Sequence, residues 1–383
     1  MTSDVSQPQR IAIVHEWFTS MRGGEKCVEA LCEVFPGADV YALLHVPGSV
    51  SPTIERALAR TSFVQHLPSA ATQYRRYLPL FPLAVRGFDL TGYDLVISSH
   101  HCVAKGVRTH PGTLHLCYCY TPMRYIWNQY EEYFGKGRAD GVTRAAMRLF
   151  VGPLRAWDLA TAANPHYFVG ISENTRRRIR DIYHRSSDVI YPPVDTARFP
   201  LAPAGGEYYL IVSALVPYKA LDLAIEAFNR TGDKLLIVGE GPDRQRLEKL
   251  AGPAIAFVGW QPDERLAAYY AECRGLIFPG EEDFGIVPVE AMASGKPVLA
   301  LARGGALETV IDRPGLHTGT FFHEQTVDAL LEGLRIMKET AFDPAALRRH
   351  AQTFDRTLFK ERMKEYCLTR WRAFRGESLQ AHM

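Results

Sequence analysis

The sequence predicts an α/β protein built as two doubly wound, Rossmann-like domains facing a central cleft. Three observations carry the two-domain reading. The chain has 383 residues, more than one ordinary hydrophobic core accommodates. Short apolar runs alternate with amphipathic stretches, the pattern of parallel strands joined by helical crossovers. That rhythm stops at a proline-rich break and then starts again.

In the first half, strands are predicted at Ile11–Val14, Val40–Leu44, Leu95–Ser98, Leu114–Tyr118 and Tyr167–Val169, and helices at Glu25–Phe35, Arg144–Ala162 and Glu173–Tyr183. The break runs from Tyr191 to Gly206, where four prolines and a closing Gly205-Gly206 leave little room for regular structure. The second half gives strands at Tyr209–Val212, Leu235–Val238, Ala256–Val258, Gly275–Phe278 and Val298–Ala302. Its helices are expected at Leu221–Phe228, Asp243–Leu250, Glu264–Ala271 and Val289–Ala293, and the final segment Leu358–Arg375 is helical in pattern. The predicted boundaries are 1–195 for the first domain, 196–206 for a hinge linker, 207–355 for the second domain and 356–383 for the C-terminal helix. Ligands of such sheets bind beyond the carboxyl ends of the strands.

Composition narrows the function. With 47% hydrophobic and 22% charged residues the chain reads as soluble and globular. A formal net charge of +2 gives no field for nucleic acid. There is no apolar run long enough to span a bilayer, and no apolar signal core follows the N-terminus. The seven cysteines are scattered without a C-x-x-C pair, and read as reduced thiols of a cytoplasmic protein, mostly core fillers. No metal site is expected: His100, His101 and Cys102 lack a second ligand cluster at metal spacing.

Six segments carry candidate chemistry. Glu282 and Glu290 stand eight residues apart in PGEEDFGIVPVEAMASGKPVLA, the first on a loop after a strand and the second in the first turn of a helix. An ionised carboxylate grips vicinal hydroxyls by accepting two hydrogen bonds at once, although helix-dipole complementarity also places a Glu there. The amides of Phe284, Gly285 and Ile286 add donors at that helix start. Lys219, after the first strand of the second domain, reads as a point charge for a diphosphate or as a solvated surface lysine. Gly23 and Gly24 open the first helix, where free N–H groups favour an anion; a plain βα loop is the bland alternative. Gly239 and Gly241 open space for a flat base or its phosphate, with backbone groups near Val258 and Gly259 reading a base edge; ordinary turn chemistry explains both segments as well. Glu16, His100, Tyr120 and Arg124 follow first-domain strands, where aromatic rings suit stacking on a sugar and an arginine suits a phosphate, or form a packed loop. Finally, residues 73–88 mix Arg75, Arg76 and Arg86 with large apolar side chains, which suits an anionic membrane surface or a helix packed on the first sheet.

Together these segments resemble the GT-B retaining glycosyltransferases of family 4. The E-x7-E signature matches Glu282 to Glu290, the diphosphate lysine Lys219, the N-terminal double glycine Gly23-Gly24, the G-x-G-P turn Gly239 to Pro242, and the second-domain GG-x-x-E Gly304 to Glu308. SSHHCVAKG, CYCYTPMRYIW and VIYPPVD are most similar to mannosyltransferases of bacterial surface-polysaccharide assembly. The resemblance implies a hexose, mannose from GDP-mannose, transferred with retention onto a saccharide or lipid-linked saccharide at the cytoplasmic face of the membrane. It implies Glu290 on the ribose, Glu282 on a donor-sugar hydroxyl, Lys219 on the departing diphosphate, no cofactor and no metal, the chain having no D-x-D motif. The resemblance also implies that the last helix crosses back to the first domain, and hinge closure is expected to complete the site. Two positions depart from the pattern: Ala214 stands where the family commonly has Arg, and Tyr120 where it commonly has His. The alternatives are a family-4 enzyme using a UDP- or ADP-sugar and a catalytically impaired nucleotide-sugar-binding relative.

Overall fold

A computed structural model describes residues 7–127, 130 and 141–376. The chain divides into two compact units, Met1–Pro193 with Thr357–Met383, and Val194–Arg356. The part of the predicted returning segment from 377 to 383 lies outside the described residues.

The first unit holds a parallel sheet of seven strands: β1 Ile11–Phe18, β2 Asp39–His45, β3 Leu58–Thr61, β4 Leu95–His100, β5 Leu114–Cys119, β6 Tyr167–Gly170 and β7 Ser187–Val189, in the order β3-β2-β1-β4-β5-β6-β7. The chain winds outward from β1 to β3, then returns to lay β4 against the other side of β1. That reversal is a topological switch point, where neighbouring βα loops part and leave a crevice. β1 and β4 run further than predicted. His15 pairs with Ala42 and Trp17 with Leu44, while Ser99 and His100 pair with Tyr118 and Cys119. Polar residues expected on loops therefore lie inside a sheet.

The second unit holds six parallel strands: β8 Tyr208–Val212, β9 Leu235–Val238, β10 Ile255–Gly259, β11 Cys273–Phe278, β12 Val298–Leu301 and, after the small antiparallel pair β13 Asp312–Arg313 and β14 Leu316–His317, β15 Gly319–Phe322. The order β10-β9-β8-β11-β12-β15 puts its switch point between β8 and β11.

Segment 196–206 is built into the second unit rather than running free. Val194 bridges Asp355, and the Thr196 hydroxyl donates to Asp355 Oδ2 at 2.5 Å. Lys296, 1% exposed, donates to the carbonyls of Pro203 and Gly205, both at 2.8 Å. A buried ammonium is tolerated because those carbonyls replace its water.

The C-terminal helix Arg356–Phe374 lies on the first unit, as predicted. Phe359 stacks edge-on against Tyr118, and Tyr366 and Arg370 both reach Asp188 on β7. The seven cysteines are free and buried. Segment 73–88 forms two short helices, Tyr74–Leu80 and Phe81–Arg86, that send Tyr74, Leu78, Phe81 and Val85 into the first-unit core. Only Leu80 and Leu83 of its large apolar side chains stay exposed, beside Arg75, Arg76 and Arg86.

Candidate active site

In the second unit the predicted donor residues converge on the switch point. Lys219 ends a tight turn, Pro217–Lys219, that follows β8. Ala220 behind it is held at φ 51°, a left-handed conformation that costs an L-residue about 1–2 kcal/mol. Lys219 forms an ion pair with Glu282, which follows β11, and both side chains are mostly buried. The two loops meet because residue 280 is glycine: a Cβ there would stand 2.9 Å from Lys219 Cα. Gly304 and Gly305, after β12, support Glu282 from the other side. The Gly305 N–H donates to the Glu282 carbonyl at 2.8 Å, and a Cβ on Gly305 would meet Phe284 Cα at 2.3 Å. Loops from three neighbouring strands thus lock one lysine–glutamate pair in place.

The helix carrying Glu290 runs Ile286–Ala293, starting earlier than predicted, so Glu290 is its fifth residue and not in its first turn. Gly285 occupies the N-cap at φ +96°. Having no side chain, it leaves the first-turn amides for a ligand or solvent. Glu290 is 6% exposed, and its Oε2 accepts from the Tyr270 hydroxyl at 2.8 Å. Tyr270 is sealed under Phe199, whose ring lies 5.4 Å away, edge-on. Sequence reasoning missed Tyr270; a tyrosine inside an amphipathic helix gives no signal that its hydroxyl reaches a carboxylate twenty positions on.

Two donor readings change, those of the Gly239/Gly241 turn and of Val258. A Cβ at Gly239 would stand 1.9 Å from the Ser213 carbonyl oxygen, and one at Gly241 2.2 Å from that of Leu215. These glycines let two backbones touch rather than clear space for a base. The Val258 carbonyl accepts from Gln261 Nε2 at 2.7 Å, so it is already engaged within the protein. The Phe284 ring is buried against Phe354, leaving its backbone as the part facing the loop.

In the first unit, β1 and β4 bring a polar cluster to their own switch point. Glu16 is 0% exposed, and its Oε1 accepts from the N–H groups of His101, Cys102, Val103 and Ala104 at 3.0, 2.9, 3.1 and 3.1 Å. Its Oε2 lies 3.0 Å from His101 Nδ1. Burial alone raises a carboxyl, but the His101 and His100 imidazoles outweigh it and hold Glu16 well below its ordinary 4.5; the four amides favour the same ionised form. His15 Nδ1 meets Ser99 Oγ at 2.9 Å, Ser99 Oγ meets the Tyr120 hydroxyl at 2.8 Å, and that hydroxyl reaches the Gly24 carbonyl at 3.1 Å. Burial opposes protonation of His15, yet the neighbouring Glu25 and Glu16 carboxylates raise its pKa overall. His100 is fully buried between Tyr183, Glu16 and the Lys105 amide, and its pKa is lowered.

Glu16 and His100 therefore support the loop instead of contacting an acceptor: neither has exposed surface to offer. Tyr120 and Arg124 remain partly exposed. Gly23 and Gly24 do begin a helix, Gly23–Val34, but Glu25 already lends that N-terminus a carboxylate, accepting from the Arg22 N–H at 3.0 Å. Among the described residues no group of three or more His, Cys, Asp or Glu is placed to hold a metal ion.

Residues 194–353 match the family model described as Glycosyl transferases group 1. The chain is 34% identical over 192 residues to a D-inositol 3-phosphate glycosyltransferase of Mycobacteroides abscessus, covering 44% of this chain and 43% of that one. It is 33% identical over 192 residues to a GDP-mannose-dependent alpha-(1-6)-phosphatidylinositol monomannoside mannosyltransferase of Mycolicibacterium smegmatis, covering 42% and 50%. The chain thus spans half or less of the length of these curated relatives. Among solved structures, sucrose-phosphate synthase from Thermosynechococcus elongatus superimposes with a TM-score of 0.70 at 20% identity, over 95% of this chain and 100% of that one. Anabaena HepE in complex with UDP-glucose gives 0.66 at 16% identity, over 94% and 99%. The fold is the predicted GT-B one, two Rossmann-like units with parallel sheets of seven and six strands, and the second unit carries a group 1 glycosyl transferase domain.

Proposed function

We propose that the protein is a retaining glycosyltransferase of family 4 that moves mannose from GDP-mannose onto a saccharide or lipid-linked saccharide in surface-polysaccharide synthesis. The observation that carries this reading is the Lys219–Glu282 pair held at the β8/β11 switch point by Gly280, Gly304 and Gly305. A donor diphosphate exchanges places with the Glu282 carboxylate on Lys219, and Glu282 then accepts from a hydroxyl of the transferred sugar. Glu290, oriented by Tyr270, accepts from the ribose. As the glycosidic bond to phosphate breaks, charge accumulates on the diphosphate; Lys219 and the first-turn amides at Gly285–Ile286 stabilise it there, without a metal. The first unit is assigned the acceptor, with Tyr120 and Arg124 as its contacts.

The donor reading is supported by relatives whose names specify GDP-mannose. A cytoplasmic protein touching the inner membrane face fits the exposed Leu80 and Leu83 among three arginines; no helix among the described residues is long and apolar enough to cross a bilayer. A thermal-shift panel of GDP, UDP and ADP tests the donor. GDP at about 100 times its Kd stabilises the second unit by about 2.7 kcal/mol. A shift with UDP or ADP alone replaces the donor, and no shift with any of the three removes the nucleotide-sugar reading.

A further inference from the structure

We propose that Arg303, on the loop after β12, is the second cation that binds the donor diphosphate. This rests on the nucleotide-sugar reading above and adds one residue to it, within the second unit alone. The need for a second cation follows from charge. Lys219 is paired with Glu282, so the pair brings no net charge to the switch point. Glu281 and Asp283 stand on either side of Glu282. A sugar nucleotide carries a negative charge on each phosphate, and the side chain of Ala214, on the loop after β8, offers neither charge nor hydrogen-bond donor.

Arg303 stands where such a cation is useful. β12 ends at Leu301, and β11 lies between it and β8 in the sheet. Two strand spacings set its loop about 10 Å from that of Lys219, a gap that two long side chains close onto a ligand lying between them. The turn itself is fixed. The Arg303 N–H donates to the Leu301 carbonyl at 2.7 Å, and Gly304 follows at φ 62°. A Cβ on Gly304 would collide with the Glu282 carbonyl oxygen and stand 3.0 Å from Glu281 Cγ. Arg303 is therefore one residue from backbone packed directly on the Glu281–Glu282 loop.

Its guanidinium is uncommitted. Arg303 is exposed, and among the described residues its side chain makes no hydrogen bond and no ion pair, although Glu281 lies against the adjoining Gly304. Arginines on the helices after β9 and β10 are engaged. Arg244 is held by Glu240 and Glu248, and Arg246 by Asp222 and Asp243. Arg265 lies over the Tyr269 ring at 5.4 Å. A guanidinium suits a phosphate because its planar fork gives two parallel hydrogen bonds and stays charged across the pH range of any assay. Arg303 donates to the phosphate oxygens that Lys219 leaves, in the bound donor and in the released nucleoside diphosphate alike, so its loss shows in affinity.

The test measures binding of GDP and of guanosine by thermal-shift titration and calorimetry in wild-type protein, Arg303→Ala and Arg303→Lys. Where UDP or ADP is the diphosphate that stabilises the second unit, it and its own nucleoside take their place. Arg303→Ala is expected to bind the diphosphate about tenfold or more weakly, the range of one charge-assisted contact, and the nucleoside as tightly as wild type. Arg303→Lys keeps the charge without the fork and is expected to fall between the two. A loss of under about threefold in Arg303→Ala, less than about 1 kcal/mol, overturns the inference. So does an equal loss for the nucleoside, which marks a structural change, or an Arg303→Lys no tighter than Arg303→Ala. No binding of any of the three diphosphates to wild-type protein overturns the nucleotide-sugar reading as well. Diphosphate binding that Arg303→Ala leaves intact overturns this inference alone.

Discussion

Replacing Glu16 with alanine tests how the first-unit switch point is held together. The side chain is fully buried and its Oε1 accepts four backbone N–H groups, all within 3.1 Å. Each hydrogen bond to an ionised acceptor contributes about 1.5–3 kcal/mol singly. Four on one oxygen do not add, so the loss is set closer to that of breaking a buried charged arrangement, about 3–5 kcal/mol. For a unit of this size each kcal/mol lowers the melting temperature by roughly 2–4 °C, so the first-unit transition should fall by about 6–20 °C. Glu16→Gln keeps an acceptor without the charge and should lose about half as much. Calorimetry with and without GDP separates the units, because GDP is expected to raise only the second-unit transition. The pH dependence has a fixed sign. The folded pKa lies below the ordinary 4.5, so the stabilisation is fully present above pH 4.5 and is lost as pH falls from there toward the folded value. Glu16→Gln should flatten that acid limb. A Glu16→Ala transition within about 3 °C of wild type, roughly 1 kcal/mol, refutes the reasoning.

Three further outcomes are expected. Tyr270→Phe removes one hydroxyl from Glu290 with little change in volume, and should weaken GDP binding roughly tenfold in titration calorimetry, about the 1.5 kcal/mol at the low end for a hydrogen bond to a carboxylate. Gly305→Ala places a Cβ 2.3 Å from Phe284 Cα and should lower second-unit stability by about 1–3 kcal/mol in urea unfolding while abolishing transfer. Burial lowers the His115 pKa from 6.5 to about 3. The unfolded chain therefore binds this proton first, and stability should fall by about 1.4 kcal/mol per unit as pH drops below 6.5, a slope that His115→Gln removes.

The second-unit site was largely legible because its chemistry is local. Strand end, glycine turn, carboxylate and helix start follow one another within PGEEDFGIVPVE, and each has a physical reason to sit where it does. Tertiary reasons were harder to see. Lys296, just beyond that run, holds linker carbonyls about ninety positions back. Gly239 and Gly241 are required by neighbouring backbone, a demand that no local pattern signals.

The first-unit misreading had one cause. The predicted β1 ends at Val14, yet the strand runs on through the polar His15 and Glu16 to Phe18. A central strand admits such residues only when the fold supplies internal partners, here the amides of residues 101–104. The unpredicted strands β3, β7 and β15 are short edges, and β3 keeps two of its four residues exposed. An edge strand needs little apolar alternation to pair on one side.

The central claim is that Lys219 and Glu282 operate on a nucleotide-sugar donor. It is tested most directly by measuring GDP release from GDP-mannose with a lipid-linked saccharide acceptor, in the wild-type protein and in Lys219→Ala and Glu282→Ala. The account expects wild-type release. It expects a loss of about 10-fold to 100-fold or more in each variant, the range of one charge-assisted contact, with Lys219→Ala lowering turnover more than donor affinity. Release that both variants leave intact contradicts it.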